Sequence, residues 1–198
     1  GAAGGGHSAR TLHASASNAG RAARCCNDRM KHTTLPPVFV SHGSPMIALE
    51  PGDAGAFMRT LGPAIDAEFG RPTAILAVSA HTAARAPVLL AGAQHSAVYD
   101  FGNFDPRLNE LRYDAAGAPA LAREVVGLLE TSGLAVHSLD ESGLDHGIWM
   151  PLRFAYPSAD VPVLPLAFPP DWSPRQLFAL GQALSPLRCS ISRCRSES

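Results

Sequence analysis

Thr73-Ala74-Ile75-Leu76-Ala77-Val78-Ser79-Ala80-His81 decides the fold. Six apolar or β-branched residues run without alternation and end on a serine and a histidine, which is how a strand buried on both faces reads where it meets a loop. On the amino-terminal side, residues 54–69 carry apolar positions at helical spacing, with Gly52 or Asp53 to cap them and Gly70-Arg71-Pro72 to stop them. Further back, Val38-Phe39-Val40 leads into Ser41-His42-Gly43-Ser44-Pro45, a second apolar run that ends on a histidine.

Working toward the carboxyl end, the pattern predicts strands over about 37–41, 73–79, 87–92, 134–139 and 161–167, with helices over 54–69, 117–132 and 174–186. Alternation of this kind implies an α/β domain, a central parallel or mixed sheet flanked by helices. Ser173-Pro174 opens the last helix with a capping serine and proline at the first helical position. A helix in such a pattern should feed another strand, but Leu187-Arg188 gives way to Cys-Ser-Ile-Ser-Arg-Cys-Arg-Ser-Glu-Ser, so the last strand or strands are expected to be missing.

Composition narrows the function classes. Of 198 residues, 46% are hydrophobic and 17% charged, as in a soluble globular domain, and no run approaches the length of a membrane span. The net charge is −1, but residues 1–29 carry four arginines against one aspartate and residues 189–198 two arginines against one glutamate, which leaves −5 on residues 30–188. That stretch has no basic face for nucleic acid, and small-molecule chemistry is the expectation. All four cysteines, Cys25, Cys26, Cys189 and Cys194, lie outside it, which argues against a disulfide scaffold or thiolate metal site and fits a reducing cytoplasm. Residues 1–29 hold one aliphatic side chain larger than alanine, Leu12, and are expected to be a disordered leader, with Met30 as the natural start. The domain is then 30–188, and 189–198 a tail of different character.

The candidate chemistry lies at the strand ends, where ligands bind in open sheets flanked by helices. His42 sits in a turn that Gly43 and Pro45 tighten, and His81 follows the strand quoted above. Two imidazoles on neighbouring strands, about 4.8 Å apart, are placed to share a metal. A third string, Gly143-Leu144-Asp145-His146-Gly147-Ile148-Trp149-Met150-Pro151-Leu152, adds His146, either a third ligand or an acid–base group whose ring Asp145 would orient. The plainer reading makes Asp145 a helix cap and leaves His146 facing water. His137 reads as structural and His95 as exposed. Tyr99-Asp100-Phe101-Gly102-Asn103-Phe104 concentrates aromatics that wall a pocket for a flat ligand, or simply form a buried loop. Ser44, beside His42-Gly43, offers a hydrolase nucleophile, but the chain has no Gly-x-Ser-x-Gly elbow.

Taken in order, Ser-His-Gly-Ser-Pro, Ser-Ala-His, Tyr-Asp-Phe-Gly-x-Phe and Gly-Leu-Asp-His-Gly-x-Trp-x-Pro-Leu resemble the class III extradiol ring-cleavage dioxygenases of the 4,5-DOPA dioxygenase type, in the superfamily of the protocatechuate 4,5-dioxygenase catalytic subunit. The resemblance runs from about Leu35 to Arg188. It implies an α/β fold; one divalent metal, Fe(II) or Zn(II), on His42 and His81; and His146 as the pocket histidine acting on substrate or oxygen. Ser44, Tyr99, Phe101, Phe104 and Asp145 would line the substrate pocket. The implied partners are a small aromatic diol and O2, with neither nucleic acid nor membrane, in the cytoplasm. Two departures stand out. Thr82 replaces the tryptophan usual after Ser-Ala-His, and the family's later strand, further histidine and late metal ligand have no counterpart after Arg188. The alternative reading is therefore a truncated, non-catalytic or weakly metal-binding product, with negligible ring cleavage expected of this 198-residue form.

Overall fold

A computed structural model of the chain describes Gly1 and residues 34–188. The chain divides into two compact units, Gly1–His32 and Thr33–Ser198, and the second carries the α/β fold. The expectations for residues 1–29 and 189–198, and all four cysteines, lie outside the described residues.

The strand at the centre of the sequence pattern forms as β1 (Ile75–Ala77), preceded by helix α1 (Gly52–Phe69). After it come β2 (Val88–Leu90), β3 (Gln94–His95), β4 (Ala115–Ala116), helix α2 (Pro119–Thr131), β5 (His137–Leu139), helix α3 (His146–Ala155), β6 (Val163–Ala167) and helix α4 (Pro174–Leu184). Four strands make a mixed sheet in the order β1-β6-β2-β5. β6 runs parallel to β1, with Ile75 opposite Val163, and antiparallel to β2, with Leu89 opposite Leu166. β2 and β5 are parallel, while β3 and β4 form a separate antiparallel pair.

β6 is buried at all five positions because helices cover both of its faces, and the pleat sends successive residues to opposite sides. Val163 joins Met58 of α1 and Ile148, Trp149, Met150 and Phe154 of α3 in one cluster. Leu164 and Leu166 join Leu89, Val125 and Leu129 of α2 and Leu180 of α4 in the other. A capping box starts α4, Ser173 Oγ accepting from the Gln176 amide while the Gln176 side chain accepts from the Ser173 amide.

Two expectations need correction. The strand expected at 37–41 makes no ladder among the described residues, and Phe39 is 97% exposed. Strand-forming composition measures fit to a pleated, partly buried surface, and no described residue supplies one over Phe39. Conversely, α3 is absent from the helices the pattern predicts, although the plainer reading of Asp145 already sets a helix start there. Gly147 and Pro151 mask its helical signal, while the cluster around Trp149 holds it in place.

Candidate active site

Four separate segments deliver the site. The first is the turn after the extended stretch, where Ser44 Oγ accepts from the Met46 amide and starts a 3-10 turn over Pro45–Ala48. Gly43 has φ +64°, a left-handed backbone that glycine adopts without cost, and this turns His42 inward. The second follows β1, where the His81 amide donates to Ser79 Oγ at 3.2 Å. The third is the aromatic loop bearing Asp100, and the fourth is the start of α3.

The three histidines converge. His42 Nε2 and His81 Nε2 stand 3.0 Å apart, and one ring nitrogen from each of His42, His81 and His146 can be chosen so that all lie within 4.8 Å of one another. Ring centroids are 5.1 Å apart for His42–His81, 4.8 Å for His42–His146 and 4.0 Å for His81–His146. His81 faces solvent, His42 is half-buried, and His146 is only 5% exposed, so the plainer reading of His146 as a water-facing residue is overturned.

Asp100 Oδ1 accepts from both the His146 amide, at 3.0 Å, and His146 Nδ1, at 2.9 Å. A carboxylate accepting at Nδ1 fixes the proton there and leaves the Nε2 lone pair free. Partial burial pushes the Asp100 carboxyl up, but the bonds from the His146 amide and ring outweigh it, and the net shift is downward. The orienting acid is therefore Asp100. Asp145 does occupy the capping position of α3, yet its side chain makes no cap bond. Its carboxylate, 6% exposed, accepts from Ser79 Oγ at 2.7 Å and Thr82 Oγ1 at 2.5 Å, which ties the start of α3 to the loop carrying His81.

Burial, and then the proximity of His146 and His81, hold the His42 imidazole below its ordinary pKa. Neutral rings with free lone pairs suit a divalent metal. The donor set fits such an ion: two nitrogens 3.0 Å apart match two bonds of about 2.1 Å to one centre.

The aromatic loop meets the site edge-on. Phe101 lies 5.6 Å from His146, between ring centroids, and Phe104 lies 6.1 Å from Phe101 and is 44% exposed. The Tyr99 hydroxyl donates to the Leu111 carbonyl and accepts from Arg112 at 2.6 Å, so Tyr99 braces the loop against Trp149. Ser44 spends its hydroxyl as a cap acceptor. His137 lies exposed in β5, whereas His95, expected at the surface, is 1% exposed. Residue-by-residue reading missed Asp100, Ser79 and Thr82 as partners. The available signals were an acid between two aromatics and hydroxyls on either side of His81.

A family model described as the catalytic LigB subunit of aromatic ring-opening dioxygenase matches residues 36–192. The chain belongs to this family. Its LigB-type relatives include the 4,5-DOPA dioxygenase extradiol of Beta vulgaris, 36% identical over 163 residues that cover 81% of this chain and 59% of the relative. The protein of the same name in Portulaca grandiflora is 38% identical, over 76% of this chain and 55% of that one. The Escherichia coli K12 protein of that name is 35% identical, over 80% and 57%. Among solved structures, the crystal structure of uncharacterized protein JW3007 from Escherichia coli K12 is similar with a TM-score of 0.54 and 32% identity, covering 68% of this chain and 48% of that one. The chain thus spans somewhat more than half the length of the curated relatives it matches. No described helix is long and apolar enough to cross a membrane.

Proposed function

We propose that this chain, against the expectation of a truncated product with negligible ring cleavage, opens a catechol-type ring beside its diol, with both atoms of O2 entering the product. His42 and His81 would hold one divalent metal, and His146 would move the substrate proton. The observation that carries the reading is the convergence of His42 Nε2 and His81 Nε2 at 3.0 Å beside a histidine whose Nδ1 is already committed to Asp100. When bound, Fe(II) supplies Lewis acidity toward the diol oxygens and the redox capacity that O2 chemistry needs; Zn(II) supplies only the former. Iron is therefore the metal proposed, with zinc as a structural substitute.

The chain's own groups do the rest. His146 Nε2, with its lone pair free, takes a proton from a diol hydroxyl and returns it to the ring-opened product, while Asp100 stabilises the imidazolium formed between those steps. Phe101 and Phe104 present ring edges on the approach to His146 and give a flat aromatic its wall. Asp145, with both oxygens engaged by hydroxyls, keeps His81 and the start of α3 in register. A small aromatic diol and O2 are the partners.

Anaerobic Fe(II) titration followed by oxygen, with L-DOPA as the probe diol, tests this. One equivalent of metal should bind to the wild type, and neither His42→Ala nor His81→Ala should retain it. His146→Ala should keep the metal and lose the yellow ring-opened product. Undiminished metal binding by His42→Ala, or undiminished turnover by His146→Ala, would refute the assignment.

A further inference from the structure

His95 lies outside the three-histidine cluster and plays no part in the chemistry just described, yet among the described residues it is one of the most completely buried polar side chains, at 1% exposure. Its Nδ1 accepts from the Gly143 amide at 3.2 Å. An amide nitrogen can only donate, so Nδ1 carries the lone pair and Nε2 the proton. That Nε2 is buried and finds no hydrogen-bond partner among the described residues. Burying an unpartnered N–H is unfavourable, and a leucine would fill the same space without it. What histidine adds here is the acceptor at Nδ1.

The bond to Gly143 belongs to a lacing of two segments. The Gly92 amide donates to the Glu141 carbonyl at 3.0 Å, Ser142 Oγ to the Gln94 carbonyl at 2.5 Å, the Leu144 amide to the Ser96 carbonyl at 3.0 Å, and the Val98 amide to the Leu144 carbonyl at 2.8 Å. The same segments continue directly into the site, one to Asp100 and the other to Asp145 and His146. Within this lacing Gly143 is the bend. Its φ of +136° is a conformation side chains rarely adopt, and a Cβ there would sit 3.0 Å from Val98 Cγ2. A glycine is loose by nature, and its amide is the one in the lacing that depends on a side-chain acceptor.

We propose that His95 is a positioning residue for His146: by accepting the Gly143 amide it fixes the bend that delivers Asp145 to Ser79 and Thr82, and His146 to Asp100. The clamp belongs to the metal-free chain, and only its effect on turnover rests on the dioxygenase reading.

Three substitutions separate an acceptor from a filler. His95→Asn places an amide oxygen near the position of Nδ1, His95→Gln places its polar atoms near Nε2, and His95→Leu fills the volume with no acceptor. In metal-free protein, amide exchange of residues 142–146 should quicken about tenfold in His95→Leu and His95→Gln, and stay within about twofold of wild type in His95→Asn, as loss of one buried hydrogen bond predicts. In iron-loaded protein kcat for L-DOPA should fall in the same order, and metal affinity should weaken in that order too, because Asp145 ties the bend to the loop carrying His81. Wild-type exchange in His95→Leu, or exchange in His95→Asn as fast as in His95→Leu, overturns the proposal. Imidazole 15N shifts of the wild type provide a test that needs no variant: a proton on Nε2 supports the clamp, and a proton on Nδ1 overturns it. Exchange that follows the predicted order in proteins that never turn over L-DOPA upholds the clamp and removes the dioxygenase reading.

Discussion

Replacing Gly147 with alanine puts a methyl group where the start of α3 touches the loop carrying His81. The new Cβ would press inside the van der Waals envelope of Ser79 Oγ, 2.9 Å from His81 Cδ2 and 3.0 Å from Asp145 Oδ1. Ordinary contact begins at 3.4 Å, so the His81 ring must retreat by about 0.5 Å and the serine hydroxyl by more. Ser79 Oγ is not free to swing, because it donates to Asp145 at 2.7 Å and accepts from the His81 amide. If the serine holds, overpacking costs about 1–3 kcal/mol. If it turns away, the buried carboxylate loses a donor, at about 1.5–3 kcal/mol. Alanine regains up to about 1 kcal/mol of helix propensity, which leaves a net loss of about 1–2 kcal/mol. Urea unfolding of metal-free protein measures that loss, and a competition titration with Zn(II) should show affinity about tenfold weaker, because His81 is displaced. In a Ser79→Ala background the closest obstacle is gone, and the same substitution should cost less than about 1 kcal/mol. An unchanged midpoint for Gly147→Ala, or an equal cost in both backgrounds, refutes the steric account.

Gly62→Ala tests the close approach of α1 to α3, where a Cβ would overlap the Ala155 carbonyl oxygen and lie 2.9 Å from its carbon. The backbone cannot rotate away, so the substitution should destabilise by about 2 kcal/mol in urea despite the better helix former, and a neutral effect would contradict that packing. Burial lowers the pKa of His95 and, with the neighbouring His146 and His81, that of His42. Groups with depressed folded values contribute stability that is complete above their unfolded pKa near 6.5 and is lost as pH falls through the folded values. Metal-free protein should therefore hold its urea midpoint above about pH 7 and lose it steadily below about 6.5, with Asp100 adding a second loss below about 3.8; a midpoint that rises between pH 7 and 5.5 would be the wrong sign.

How much was legible depended on the range over which each feature is decided. α4 was readable because its start is a four-residue pattern, Ser173 to Gln176, complete within itself. β6 announced itself as an apolar run because both of its faces are covered, whereas β1, with a similar composition, lies at the sheet edge and is half-buried throughout. The segment 37–41 carries the same composition without a partner strand among the described residues, and pairing is a property of the neighbour as much as of the run. His42 and His81 were legible as a pair through the strings that carry them, not through neighbouring strand ends, since the segment before His42 joins no ladder among the described residues. The acid that orients His146 was not: Asp145 is adjacent in sequence, whereas Asp100 is 46 residues away, and only the lacing of the two segments selects between them. His95 was misplaced for the same reason, since the Gly143 amide that gives it a role is 48 residues distant.

Those separations bear on how the site comes into being. His42 and His81 are 39 residues apart, Ser79 and Asp145 66 apart, and Thr82 and Asp145 63 apart. No short fragment of the chain contains a working subset, and each contact must await closure of a long loop, whose entropic cost rises with the logarithm of its length. An ion gripped by His42 and His81 would act as a staple across the first of these loops. It would bind only once the fold has brought the rings together, so excess metal should raise the unfolding midpoint in proportion to the logarithm of its concentration. Folding and metal capture would then become a single equilibrium, and the ion would be a late-arriving structural member as well as a reagent.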